Sequence, residues 1–184
     1  MQTTSPVIAA VRTDEEFEAA ILSPADTIFF LYPDIMELTY IARKAHGRNK
    51  QIFIHIDLTT GLGKDQSGLE FAKNAGIDGI ISTRASMIKL AKKCGLQTVQ
   101  RFFIVDSRSI DTTVETIRDS KADMVEIMPG IALKSIEKLK ARIQPPIIAG
   151  GLIETEQEVT LALQSGASAI STGQASLWDF QDQT

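Results

Sequence analysis

The sequence predicts an α/β fold, a compact (β/α)8 barrel of TIM type, on three observations. Eight short runs rich in Val, Ile, Leu and Phe recur about every 23 residues, the length of one strand, one helix and their two connections. The segments between those runs carry helix start and stop residues. No linker or low-complexity stretch interrupts the series, so residues 1–184 read as one domain. Hairpins would recur at less than half that spacing, and an open doubly wound sheet is the structural alternative. Eight units usually need about 250 residues, so helices and loops here must be short.

The elements follow in order. Val7 to Val11 is the first strand and Ile28 to Leu31 the second, after which Pro33-Asp34 opens a helix. Ile52 to Leu58 is the third strand: its isoleucines and Leu58 form one face to pack on helices, and Phe53, His55 and Asp57 face inward. Gly79 to Ser82, Val99 to Val105, Met124 to Met128, Ile147 to Ala149 and Ala169 to Ser171 complete the series. Gly76, Gly95 and Gly166 stand where the third, fourth and seventh helices should stop, and Ser107 or Ser109 opens the fifth. The seventh, Glu154 to Gln164, has the clearest start, with Thr155 as cap and Glu158 at the capping-box position. The tail from Gln181 to Thr184 is expected to fray.

Composition removes several function classes. One cysteine and two histidines make neither a disulfide nor a zinc cluster, and no metal site is expected. No apolar run reaches the roughly 18 residues of a membrane span, and the opening Met1 to Pro6 lacks the charged and apolar regions of a signal peptide, so a cytoplasmic protein is expected. With 19 basic against 23 acidic residues the formal charge is −4. Any nucleic-acid site must therefore be a local basic patch. The candidates are Lys89, Lys92 and Lys93, the stripe of Lys134, Lys138 and Arg142, and Arg43, Lys44, Arg48 and Lys50 near the end of the second helix.

Barrels meet their ligands at the carboxyl ends of the strands, and polar residues gather there. Arg12, Asp57, Ser82 with Thr83-Arg84, and Glu126 end or line strands on the inward parity, while in the fifth strand either Gln100 or Arg101 can face in. His55 reads as a buried, hydrogen-bonded core histidine. An acid/base pair of Asp57 and Glu126 would need one raised pKa, whereas nearby Lys64 or Arg84 holds both ionised, which favours orienting a ligand over catalysis. The loop from Asp57 to Gly68 matches neither a dinucleotide fingerprint nor a P-loop, and leaves Lys64 over the mouth as a point charge. Ala149-Gly150-Gly151-Leu152-Ile153 and Ser171-Thr172-Gly173-Gln174 end the last two strands. Such loops, with a short helix over Ser176 to Asp179, form a backbone cradle for phosphate.

Five motifs, Ile54-His55-Ile56-Asp57-Leu58, Ile81-Ser82-Thr83-Arg84, Gln100-Arg101-Phe102-Phe103, Glu126-Ile127-Met128-Pro129-Gly130 and Ala149-Gly150-Gly151-Leu152-Ile153, occur in that order. In this order and spacing they resemble the glycerol-3-phosphate-responsive transcription antiterminators of the bacterial glycerol uptake operon, over about Ile8 to Trp178. The resemblance implies a barrel that senses sn-glycerol 3-phosphate as effector, needs no cofactor, catalyses nothing, and when loaded binds glycerol-operon leader mRNA so that transcription passes a terminator. By analogy with phosphate-binding barrels, the phosphate would lie against Gly150, Gly151, Thr172 and Gly173. The glycerol hydroxyls would meet Asp57, Glu126 and Gln100, with Arg84 and Lys64 as supplementary cations. Lys89, Lys92, Lys93, Lys134, Lys138 and Arg142 would face the RNA. Two rivals share the fold: an enzyme of triose or glycerol phosphates with Glu126 or Asp57 as base, and a sensor with a protein partner.

Overall fold

The structure, a computed structural model, describes residues 5–180; the opening four residues and the tail expected to fray lie outside the described residues. Eight parallel strands close in sequence order, β1 (Val7–Val11), β2 (Thr27–Phe30), β3 (Gln51–His55), β4 (Gly79–Ser82), β5 (Gln97–Phe103), β6 (Met124–Met128), β7 (Ile147–Gly150) and β8 (Ala169–Thr172), with β8 paired back to β1. The helices alternate with them: α1 (Asp14–Leu22), α2 (Leu38–His46), α3 (Gln66–Asn74), α4 (Ala85–Cys94), α5 (Ser107–Ser120), α6 (Leu133–Lys140) and α7 (Glu156–Gln164). This is the TIM-type barrel the period predicts, and the doubly wound alternative falls with the β8–β1 pairing.

Strand alternation divides the core in two. Outward residues such as Ile52, Ile54, Ile80, Val125 and Ile127 join the helices in one apolar layer. Inward residues form a second cluster at the barrel's floor, including Ile8, Phe29, Phe53, Ile81, Val99 and Ile148. The rings of Phe29 and Phe53 meet there at 5.5 Å. A filled floor seals the amino-terminal end, so any ligand must enter from the carboxyl ends.

Several boundaries depart from the sequence reading for local reasons. The third strand stops at His55, because the amides of Leu58 and Thr59 donate back to the His55 carbonyl at 2.9 and 3.1 Å. That turn breaks the alternation, and Leu58 is 39% exposed rather than packed on a helix. The fifth strand begins earlier and leaves Val105 exposed, since Asp123 ties the Thr98 amide and hydroxyl at 3.0 and 2.7 Å. Pro33-Asp34 opens a 3₁₀ turn (Ile35–Glu37) before α2, with Asp34 and Glu37 in a capping box. The cap of α5 is Asp106, and Ser109 completes its box. Thr155 and Glu158 cap α7 as read, and Gly76, Gly95 and Gly166 follow their helices with positive φ. The expected short helix after β8 is a 3₁₀ turn over Ala175–Leu177. Buried Trp178 follows it and donates from Nε1 to the Thr172 carbonyl at 2.9 Å, anchoring the end of β8.

Candidate functional site

Above the apolar floor the inward positions turn polar. Arg101 and Glu126 are directly paired across β5 and β6, so both point into the barrel, and Arg101 Nε donates to Glu126 Oε2 at 2.6 Å. Ser171 Oγ of β8 donates to Oε1 of the same carboxylate at 2.6 Å. Glu126 has no exposed surface at all. A Cβ on Gly150 would lie 2.5 Å from Glu126 Oε1, so the intervening strand β7 must carry glycine there for Glu126 to reach β8. Gly150 thus makes room for Glu126. Its carbonyl accepts from the Gly130 amide at 2.6 Å.

The same register settles the ambiguity in the fifth strand and corrects one expected ligand residue. With Arg101 inward, Gln100 faces outward to α5, where its Oε1 accepts from Ser120 Oγ at 2.5 Å, and it has no access to the mouth.

A cavity of about 280 Å³ opens over this polar layer, lined among others by Arg12, Arg101, Glu126, Gly151, Thr172 and Gly173. That is the space of about nine waters at ~30 Å³ each, below the ~300–1,000 Å³ of sites for drug-sized molecules. Arg12, just beyond β1, reaches across to the last loop: a Cβ on Gly173 would lie 3.1 Å from its Nη1. Among the described residues no carboxylate pairs with the Arg12 guanidinium. The loop after β7 passes through two successive left-handed residues, Gly151 at φ 74° and Leu152 at φ 59°, a conformation that costs a leucine energy and turns the backbone sharply beside the cavity. The Thr172 hydroxyl donates to the Ile153 carbonyl at 2.8 Å and accepts from the Gln174 amide at 3.1 Å, stapling the last two loops together.

Asp57, Lys64 and Arg84 form a separate cluster that does not line this cavity. Arg84 Nε and Nη2 donate to Asp57 Oδ1 at 2.9 and 2.6 Å, while Ser82 Oγ and the Thr83 amide donate to Oδ2 at 2.8 and 3.0 Å. Burial works to raise the Asp57 pKa, but the hydrogen bonds from Thr83, Arg84 and Ser82 outweigh it and hold the carboxyl below its ordinary value. Lys64 Nζ donates to the Thr59 carbonyl at 2.6 Å, and burial lowers its pKa against the opposing charge of Asp57. Lys64 and Arg84, expected as cations at the phosphate, are thus engaged by the Thr59 carbonyl and by Asp57, and all three residues lie outside the lining of this cavity, Asp57 being the one expected at the glycerol hydroxyls.

His55 also departs from expectation. It is buried, as read, but its Nδ1 has no hydrogen-bond partner. Burial, and then the charge of Arg101, lower its pKa from 6.5 to about 4, against the weaker opposing pull of Asp57 and Glu126. The folded protein thus keeps His55 neutral at pH values where the unfolded chain takes up a proton. Its stabilisation is complete above about pH 6.5 and is lost as pH falls toward 4, with a slope of up to about 1.4 kcal/mol per pH unit. Urea denaturation at pH 7, 6 and 5 should show that fall, and His55→Gln should flatten it. An equal slope in the variant would assign the fall to other groups.

The comparison with known proteins settles the family. The model of the glycerol-3-phosphate responsive antiterminator family matches residues 7–178. The chain belongs to that family. A glycerol uptake operon antiterminator regulatory protein from Listeria monocytogenes str. 4b F2365 superposes with a TM-score of 0.90 at 30% identity, covering 97% of both chains. A glycerol uptake operon antiterminator-related protein from Thermotoga maritima MSB8 gives 0.85 at 34% identity, over 96% of this chain and 99% of that one. The uncharacterized protein YgcP of Escherichia coli K12 is 37% identical over 175 residues, 95% of this chain and 92% of its own. Deoxyribose phosphate aldolase from Aeropyrum pernix, at 15% identity and a TM-score of 0.70, shares the fold alone.

In this member of the family the basic side chains expected to face RNA are largely committed to neighbours. Lys89 Nζ bonds both oxygens of Asp119 at 2.7 Å, Lys92 pairs with Asp123, and Arg142 Nη1 donates to Asp111 at 2.7 Å. Lys93, Lys134 and Lys138 are exposed and, among the described residues, unpaired. Lys44 pairs with Glu18, and Lys50 is a buried residue that donates to the Ser23 carbonyl at 2.6 Å and to the Ala25 carbonyl. The patch near the end of α2 thus loses two of its four cations. Among the described residues no helix is long and apolar enough to cross a membrane, and no three His, Cys, Asp or Glu side chains are grouped to hold a metal.

Proposed function

We propose that the cavity over Glu126 is the effector site for sn-glycerol 3-phosphate, and that the loaded barrel binds glycerol-operon leader mRNA in the cytoplasm so that transcription passes a terminator. The observation that carries this reading is the cavity itself: small, walled by the two glycine-bearing last loops, and flanked by Arg12 and Arg101, in a chain matched by the antiterminator family over residues 7–178. The phosphate lies against the backbone of Gly151 and Gly173, with Arg12 as its cation, and Gly150 and Thr172 hold the cradle in shape. Arg101 presents its terminal nitrogens to the ligand. Glu126, itself fully buried, holds Arg101 in place beneath the ligand.

The protein works without catalysis or cofactor on this reading. Both carboxylates available as bases are already engaged, Glu126 with Arg101 and Ser171, and Asp57 with Arg84, Ser82 and Thr83. Binding without turnover suits a sensor, whose ligand must leave unchanged.

Fluorescence anisotropy of labelled leader RNA, at fixed salt with and without saturating sn-glycerol 3-phosphate, tests the proposal. Tightening by about tenfold or more, a coupling of about 1.4 kcal/mol, is expected. Equal affinity in both conditions, or none in either, would overturn the gated-RNA reading.

A further inference from the structure

The end of the barrel away from the effector cavity carries a second concavity, a groove of about 640 Å³ between the last turn of α5 and the segment after α6. Three cations line it, Arg118, Lys121 and Arg142, over apolar Ile117, Ile143 and Pro145, and no carboxylate does. Among the described residues Arg118 and Lys121 form no ion pair, whereas Arg142 is held by Asp111 and Lys89 and Lys92 on α4 are both neutralised by carboxylates.

Lys121 adds a backbone observation. It caps α5 at φ 56°, a left-handed position that glycine or asparagine fills at less cost, so a long cationic side chain stands at the groove's rim where local propensity argues against it.

We propose that this groove receives a single-stranded segment of the RNA, with Arg118 and Lys121 against its phosphates and a base over the Ile117–Ile143–Pro145 floor. The proposal rests on the RNA reading above and assigns it a surface. Cations flanking an apolar floor match the two features single strands offer, a charged backbone and unstacked bases. Ser120, the residue before Lys121, donates to Gln100, which shares strand β5 with the cavity residue Arg101.

The test measures binding of labelled leader RNA, with saturating sn-glycerol 3-phosphate and across several salt concentrations, to the full chain and to two double variants. Arg118→Glu with Lys121→Glu should weaken binding about tenfold or more and flatten the slope of log affinity against log salt by about 1.4, two single-strand phosphate contacts at ~0.7 each. Lys89→Glu with Lys93→Glu should leave both unchanged. The thermal shift produced by sn-glycerol 3-phosphate reports folding in every variant, and the milder Arg118→Gln with Lys121→Gln should weaken RNA in the same direction should the reversal unfold the chain. Wild-type affinity and slope in the folded groove variants would remove the groove while leaving the RNA reading intact. Failure of the wild type itself to bind RNA, with its ligand-induced thermal shift present, would overturn both.

Discussion

Replacing Glu126 with glutamine is expected to destabilise the protein by about 3 kcal/mol, the lower end of the roughly 3–5 kcal/mol that breaking a buried ion pair costs. The shape of the side chain is kept and only its charge is removed, so the loss measures what Arg101 does when left alone. The Arg101 side chain is 9% exposed and Glu126 0%. With so little of its surface open to the cavity, the guanidinium recovers only a small part of its hydration. In a chain of this length such a loss corresponds to a fall in Tm of about 6 to 12 °C. Replacing both partners, Arg101→Met with Glu126→Met, should restore most of the stability, because it removes the desolvated charges together. The double variant should nonetheless lose the stabilisation that sn-glycerol 3-phosphate gives the wild type. Urea denaturation of the three proteins decides: a loss under about 1 kcal/mol in Glu126→Gln would show that water reaches the pair.

The barrel was legible in the sequence because parallel strands buried on both faces must be apolar runs, and their period survives boundary errors of a few residues. Glu126 was legible for a related reason, a lone carboxylate between Val125 and Ile127 having few places to go. Arg101 was not. Beside Gln100 it makes a polar pair in which parity cannot choose, and the choice is made by a carboxylate 25 residues away in β6 and a hydroxyl 20 residues away in α5. The basic stripes misled in the same way. Helical spacing shows which lysines share a face but not that Asp119, 30 residues on, sits across from Lys89 on the next helix. Lys50 looked like surface charge, and only the fold brings the Ser23 and Ala25 carbonyls around it. Arg12 was visible as a strand end, yet its partner, the Gly173 loop, lies at the opposite end of the chain and meets it only because β8 closes on β1.

That closure makes Arg12 the most informative single test of the effector site. At a ligand concentration 100 times its dissociation constant, sn-glycerol 3-phosphate should stabilise the wild type by about 2.7 kcal/mol. Arg12→Gln removes a charge-assisted contact worth about 2 kcal/mol, which weakens binding about 30-fold. At the same ligand concentration the stabilisation should then fall to about 0.9 kcal/mol. Arg84→Gln should leave it near the wild-type value, since Arg84 is spent on Asp57 outside the cavity. The contrast separates the two candidate cations more cleanly than a charge placed at Gly151 would. At φ 74°, with Met128 Cε 2.6 Å from the new Cβ, any side chain at Gly151 disturbs the loop whether or not a phosphate binds there. Thermal unfolding with and without ligand, read on the two arginine variants side by side, therefore settles which side of the mouth holds the phosphate. A full ligand shift in Arg12→Gln and a lost one in Arg84→Gln would move it to the Asp57 cluster.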